Sequence, residues 1–352
     1  MNKGNGHWIG LLLMVSAGMF TACATETDNQ EVVGNGARYL SFSVTTKGAT
    51  RGQPISGWLT EPFGIYGYVY ADEWDGTESP DYMANEKVVN KGLSQWSTTR
   101  MFASPAPDNT LRIYAYYPFS DDNDVVVTLP EEVEGLPVLT VTVPTDVSKQ
   151  VDFMTASSDE ISTDEFVDTY MKDETAALPL TFAHRLTQIR FVTGYMQVCT
   201  VKSIKLCGVK NSGTFILGDS EWTDIAETTA DYKVENEVVV TGTPGQELNE
   251  GAKRLMLLPQ DPEGLTIVLT YNDGEDHEIA STLPASMWNP GKVITYALTL
   301  RRDLFIQCVS LKDWEDGGTM LGSITDDSNL NTTGEVKSWE NTDDINITKT
   351  TE

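Results

Sequence analysis

An all-β chain, of sandwich or barrel architecture and divided into two domains, is predicted on three observations. Short runs in which apolar and polar residues alternate recur along most of the chain. Clusters of Gly, Pro, Asn and Asp punctuate them. No long stretch repeats its apolar residues with the 3.6-residue period of a helix. The 352 residues suffice for two ordinary cores. Hydrophobic and aromatic contents of 40% and 9% are those of a globular protein and exclude wholesale disorder.

The elements follow in order. Lys3 and His7 precede an apolar run from Trp8 to Phe20, and Thr21-Ala22-Cys23 comes next. A weakly basic start, an apolar stretch short for a bilayer span, and small residues before a cut form a secretory signal, assigned to residues 1–22. Cys23 sits as in a bacterial lipobox, where the thiol takes a diacylglycerol and becomes the first residue, although Phe20 stands where Leu is commoner. An ordinary signal peptide containing a Cys, or a membrane anchor helix, is the competing reading. Residues 23–36 are a polar linker. In 39–46, Leu40, Phe42 and Val44 alternate with Ser41, Ser43 and Thr45, the pattern of a half-buried strand. A small polar loop with Lys47 and Arg51 follows. Further strands are expected at 63–70, 111–117, 125–129 and 138–143. One short helix is expected at 163–172, with Phe166, Val167 and Tyr170 on one side.

A second block opens after Ala176, and the boundary is placed near 172–178, giving domains 37–175 and 176–314. Leu178, Leu180 and Phe182 alternate, and Leu186, Ile189 and Phe191 continue past His184-Arg185. Strands are expected at 201–209, 214–217, 234–240 and 255–259. The run 265–271 meets Asn272-Asp273-Gly274, a turn that favours a hairpin into 277–281. Runs 292–300 and 304–311 close the set before Trp314. Residues 315–352, rich in Asp, Glu, Asn, Thr and Gly, read as a solvated acidic tail.

Charge narrows the partners. Lys and Arg number 24 against 52 Asp and Glu, a formal net charge of −28. Such a balance repels phosphate backbones and anionic lipid, so nucleic acid is not an expected partner. The candidates for chemistry are few. Beyond the signal only His184 and His277 remain, in different strand contexts and without a metal or catalytic spacing. His184 reads as a structural histidine able to hydrogen-bond neighbouring backbone, and His277, among Glu275, Asp276 and Glu278, as an exposed hairpin residue. No nucleophile elbow or phosphate loop appears. Carboxylates are too numerous for any pair to stand out as a glycosidase-like acid and nucleophile. Asp121, Asp122 and Asp124 lack the Gly and distal Glu of a calcium loop and read as a solvated run. Cys199, Cys207 and Cys308 include no CxxC pair; a Cys199–Cys207 bridge between strand ends competes with three small buried hydrophobes. No cofactor, metal or enzymatic activity is expected.

Several segments together are similar to the fimbrillin family (Mfa-like, type V pilins, the fimbrial subunit lipoproteins of Bacteroidales). The lipobox, linker, amphipathic first strand and following basic residue resemble the start of its precursors. Val151-Asp152-Phe153-Met154-Thr155-Ala156 resembles a segment near the end of its N-terminal domain. The run from Leu180 through His184 to Phe191 is similar to the one that opens its C-terminal domain, and is the most specific of the set. Ile204 to Val209 with Gly213-Thr214-Phe215 looks like the next hairpin. Met256-Leu257-Leu258-Pro259-Gln260 and Trp288-Asn289-Pro290-Gly291-Lys292 with Tyr296 complete the series. Order and spacing carry the resemblance more than any one motif.

The resemblance implies two tandem β-sandwich domains of transthyretin-like, Greek-key type, and a structural subunit of a pilus that supports adhesion. Such subunits are exported as lipoproteins to the outer membrane and cell surface, where a trypsin-like protease cuts near the first strand. Loss of that strand opens an apolar groove, and a strand from another pilin fills it by β-strand addition. Here the strand would be 39–46, with Leu40, Phe42 and Val44 facing the groove. Arg51 is the preferred cut, Lys47 the second and Arg38 the third, since a cut at Arg38 leaves the strand attached. The tail suits a donor strand poorly, with only Ile345 and Ile347 alternating, and leaves stalk, tip or anchor open. The alternative is a lipid-anchored surface protein that binds glycan or host protein without polymerising, through exposed aromatics drawn from Tyr66, Tyr68, Trp74 and Trp96.

Overall fold

The computed structural model describes residues 36–46, 59 and 61–314, apart from 72, 75, 93–94, 121–125 and 174. The signal peptide with Cys23, most of the linker, Lys47, Arg51, the Asp121–Asp124 run and the tail from 315 lie outside the described residues. Among the described residues the chain is all-β, with several sheets, one short α/π segment at Thr163–Met171 and two 3-10 turns at Val147–Lys149 and Gly251–Lys253. The α/π segment begins where expected: the Ser162 hydroxyl accepts from the Glu165 N–H at 3.2 Å and caps Thr163–Phe166. It then widens into a π turn over Val167–Met171.

The first sheet runs Phe63–Tyr70, Met83–Asn90, Trp96–Thr98, Ser41–Thr46, Leu178–His184, Met154–Ser157, Thr110–Tyr117 and Ile161–Ser162. Phe63–Tyr70 also pairs with Thr110–Tyr117, so the sheet closes on itself around one apolar cluster. Gly64 stands opposite Tyr116, and a Cβ there would meet that ring at 2.3 Å, so only glycine lets the two strands lie together. These two strands are buried on both faces. Phe63, Ile65, Leu111 and Ile113 face the first cluster, whereas Tyr66, Tyr68, Tyr114 and Tyr116 face the second. The buried hydroxyls find partners: Tyr68 donates to the Gly135 carbonyl at 2.8 Å, and Tyr116 to Asn85 Oδ1 at 2.6 Å.

The second cluster lies within two four-stranded sheets. One is ordered Leu255–Leu257, Thr187–Met196, Lys292–Leu300, Leu304–Asp313; the other Thr229–Val240, Cys199–Lys210, Thr266–Asn272, Asp276–Thr282. The predicted hairpin forms, with Asn272 opposite Asp276 and Gly274 at φ +131°.

Two strands pair across the sequence blocks. Leu178–His184, read above with the second block, is hydrogen-bonded into the first sheet, parallel to Ser41–Thr46. Val138–Thr142, read with the first, pairs with Ser212–Ile216 in a small sheet, and Leu139, Val141, Val143 and Phe153 enter the second cluster. Alternation marks a strand as half-buried, but says nothing about which core covers it.

Candidate functional site: the first strand and its slot

The strand singled out by the sequence spans Ser41–Thr46, preceded by an extended approach from Gly36. Alternation places Leu40, Phe42, Val44 and Thr46 inward and leaves Ser43 and Thr45 exposed. Leu40 and Phe42 are each 2% exposed and Val44 9%. The Phe42 ring meets Phe63 edge-on, centroids 6.0 Å apart, and Phe63 in turn packs on Trp96 and Phe182, each at 5.3 Å. Burying three such side chains is worth about 1.5–3 kcal/mol each. Their sum, roughly 5–9 kcal/mol, is comparable with the whole net stability of an ordinary domain.

The strand is flanked on both sides and does not run along an open edge. On one side Phe42 to Thr46 pair in parallel with Leu178 to Phe182. On the other, Ser41 and Phe42 pair antiparallel with Ser97 and Trp96. The approach is tied down as well. Thr98 N–H donates to the Leu40 carbonyl and Leu40 N–H donates to Thr98 Oγ1, both at 3.0 Å. Arg38 and Phe102 exchange backbone bonds of 2.9 and 2.8 Å, and the Arg38 guanidinium donates to the Met171 carbonyl. Peptide paired in this way is a poor protease substrate. Taking residues 36–46 away would leave a slot between Trp96–Thr98 and Leu178–His184, floored by Phe63 and Phe182, with two rows of unpaired backbone groups.

The other residues picked out by the sequence have scaffold surroundings. His184 is buried, and its Nδ1 meets the Asp152 carboxylate instead of neighbouring backbone. Its ring stacks on Trp314, centroids 4.2 Å apart and planes 2° off parallel. Asp152 and Trp314 were legible as motif or strand-end residues, but their convergence was not. His277 lies over Tyr271, with Nε2 2.9 Å from Asp273 Oδ1. Cys199 and Cys207 lie eight residues apart on one strand, about 26 Å at strand rise, which no disulfide spans. Both are free, as is Cys308. Burial pushes the Cys199 and Cys308 thiols up. Tyr66, Tyr68 and Trp96 are buried, and Trp74 packs against Tyr68 and Tyr70, so these four do not form the exposed aromatic face a glycan binder would use.

The motif residues of the second half act as strand-end staples. Gln260 Oε1 accepts from the Lys210 N–H at 3.0 Å, and its Nε2 donates to the Lys210 and Leu258 carbonyls at 3.2 Å. Trp288 Nε1 donates to the Tyr296 hydroxyl at 2.8 Å. Gly291, at φ +69°, donates to the Leu186 carbonyl and accepts from the Trp314 N–H, both at 2.9 Å.

With this geometry in hand, the chain can be set beside known proteins. A family described as fimbrillin-like matches residues 49–314, a span that begins just after the first strand. A fimbrial protein from Bacteroides vulgatus has a similar structure, with a TM-score of 0.58 and 16% sequence identity over 78% of this chain and 99% of its own. A candidate cell adhesion protein from Bacteroides ovatus gives 0.58 and 16% over 80% and 99%. At such identity the likeness is one of fold. No curated protein matches the chain.

Proposed function

The chain belongs to the fimbrillin-like family, and from that premise we propose that it is a structural, non-catalytic subunit of a type V pilus, assembled by replacement of its first strand. The observation that supports this most directly is the buried strand Ser41–Thr46. With the adjoining Leu40 it supplies three core side chains and is bonded on both sides, and its covalent link to the rest of the sheet runs through the segment that carries Lys47 and Arg51. A cut at Arg51 or Lys47 by a trypsin-like protease severs the covalent link but not the pairing. Release of the strand exposes the slot, and a strand from another pilin with apolar residues at alternate positions restores the lost burial and hydrogen bonds. An incoming strand in the direction of the one it replaces meets a parallel neighbour, Leu178–His184, on one side and an antiparallel one, Trp96–Thr98, on the other.

In this reading residues 1–22 direct export, Cys23 carries the lipid that holds the precursor at the outer membrane, and processing delivers the subunit to the fimbria at the cell surface. The two cores form tandem sandwiches of transthyretin-like, Greek-key type, the first completed by Leu178–His184 and the second by Val138–Thr142, across the sequence boundary between 37–175 and 176–314. The test is limited trypsin digestion of the folded, signal-less protein, with mass spectrometry and size-exclusion chromatography. Cutting at Arg51 or Lys47, loss of the strand and a shift to polymers are expected. Resistance there, or cutting without polymerisation, would refute strand exchange and favour a lipid-anchored surface binder.

A further inference from the structure

One wall of the slot is held in place by the strand that fills it. When Ser41–Thr46 leaves, Trp96–Thr98 still has Met83–Asn90 as a partner. Leu178–His184 keeps much less. Leu178 to Phe182 are in register with Phe42 to Thr46, and only Ala183 and His184 are in register with Met154–Ser157. No other strand among the described residues pairs with Leu178–Phe182. In an empty slot this stretch is an arm attached at one end. Its apolar side chains still rest on the core, with the Phe182 ring centroid 5.3 Å from that of Phe63. Apolar contact is non-directional, however, and leaves the tilt of the arm free.

The attached end is a bend at Arg185-Leu186, where the chain passes into Thr187–Met196 of the second body, the pair of four-stranded sheets. From His184 to Leu178 the arm spans about 20 Å, so a tilt of about 10° at the bend carries its tip about 3.5 Å, most of a strand spacing of about 4.8 Å. The bend therefore aims the wall. Two groups grip the His184 ring there. Asp152, just ahead of Met154–Ser157, meets its Nδ1. The Trp314 indole, after the last strand, lies flat on the ring, centroids 4.2 Å apart and planes 2° off parallel. Trp314 is itself fixed: its N–H donates to the Gly291 carbonyl and the Gly291 N–H to the Leu186 carbonyl, both at 2.9 Å. Arg185 fastens the bend on another side, Nε donating to Thr155 Oγ1 at 2.7 Å and Nη1 to the Ser220 carbonyl at 2.9 Å. Both stacked rings are buried, His184 at 6% and Trp314 at 7% exposure.

We propose that Trp314 and Asp152 are positioning residues for strand acceptance: by gripping the His184 ring they hold Leu178–His184 as a ready wall while the slot is empty. Both act through His184, which lies beyond the last register pair, Thr46 with Phe182. In the filled slot the register pairs hold the wall and the grip is redundant. In the empty slot the grip sets the fraction of molecules whose wall stands at pairing distance, and uptake of a strand scales with that fraction. Loss of the grip therefore slows uptake and leaves the departure of a seated strand unchanged. The inference rests on the strand-replacement reading and assigns part of the acceptor site to the second body.

The test uses the full signal-less chain, cut with trypsin, treated with a trypsin inhibitor and freed of its first strand by gel filtration. The probe is a fluorescein-labelled peptide of residues 36–46, whose uptake and release are followed by anisotropy. Wild type is compared with W314A, W314F and D152N, and thermal melting of the uncut chains confirms that each folds. W314A is expected to slow uptake about tenfold or more, as the ready fraction falls to about a tenth or less, with release within about twofold of wild type. W314F keeps a ring on His184 and is expected to restore uptake. D152N, which keeps the shape of the side chain, is expected to slow uptake without changing release, and it carries the comparison if W314A does not fold. A merely structural role predicts faster release together with slower uptake and a lower melting temperature, and that result would overturn the proposal. Uptake at the wild-type rate by both W314A and D152N would overturn it too, with the strand-replacement reading left standing. If wild type itself takes up no peptide, that reading falls and this inference with it.

Discussion

Replacing Phe42 by alanine separates a strand that is part of the core from one that merely lies on it. Phe42 is 2% exposed, stands in register with Leu178 and Trp96, and meets Phe63 edge-on at 6.0 Å. The transfer contribution of a buried aromatic side chain is about 1.5–3 kcal/mol. Its ring pairing adds about 0.5–1.5 kcal/mol, and the cavity left among Phe63, Trp96 and Phe182 raises the total toward about 3–5 kcal/mol. Exposed Ser43, the next residue on the same strand, is the control, and Ser43→Ala is expected to change stability by less than about 0.5 kcal/mol. The assay is hydrogen exchange with mass spectrometry on native protein, reading the opening free energy of Leu178–His184 and of Lys292–Leu300 in the same sample. Phe42→Ala is expected to lower protection of the first segment by the full amount and of the second by much less, since only the first borders the slot. A loss under about 1 kcal/mol at Leu178–His184, or an equal loss in both segments, would refute the packing on which strand replacement depends.

Two further outcomes follow from the second body. Burial alone would raise the Glu247 carboxyl, but bonds from Arg254 at 2.8 Å and Arg190 at 2.7 Å outweigh it and hold the folded value below the ordinary one. The pair's stabilisation is therefore complete above the unfolded value of about 4.5 and is lost as pH falls through the lower folded value. Urea titrations across pH 5 to 2.5 should show a shallower acid loss for Glu247→Gln than for wild type. Gly291→Ala forces a Cβ onto φ +69° and to 3.3 Å from the His184 carbonyl. It should cost about 1–3 kcal/mol, read as a lowered melting temperature, and weaken the stacking of Trp314 on His184, read as a shift in tryptophan fluorescence.

Much of the fold was legible because its signals are local. Alternation at Leu40, Phe42 and Val44, at Leu178, Leu180 and Phe182, and in the 265–281 hairpin is written in neighbouring residues and survives in any β context. Met83–Asn90 was not foreseen, for its Met-Ala-Asn-Glu-Lys-Val-Val-Asn sequence alternates only weakly and its strand depends on partners at 63–70 and 96–98. The candidate site was legible as a strand with a basic loop after it. That it sits inside a closed sheet, with Trp96–Thr98 covering its second side, was not.

By itself, then, the sequence determined the β class, the places where strands start and turn, the acidity that selects partners, and the motifs that carry family membership. Tertiary structure alone decided which core each strand serves. It sent Leu178–His184 back to the first sheet, put tyrosines at 66, 68, 114 and 116 on a second core, and brought Asp152, His184 and Trp314 together. The physical reason is range. Side-chain alternation follows from the backbone of one segment, whereas pairing depends on which apolar faces, separated by a hundred residues or more, can be covered together at the least cost in loop entropy and unmet hydrogen bonds.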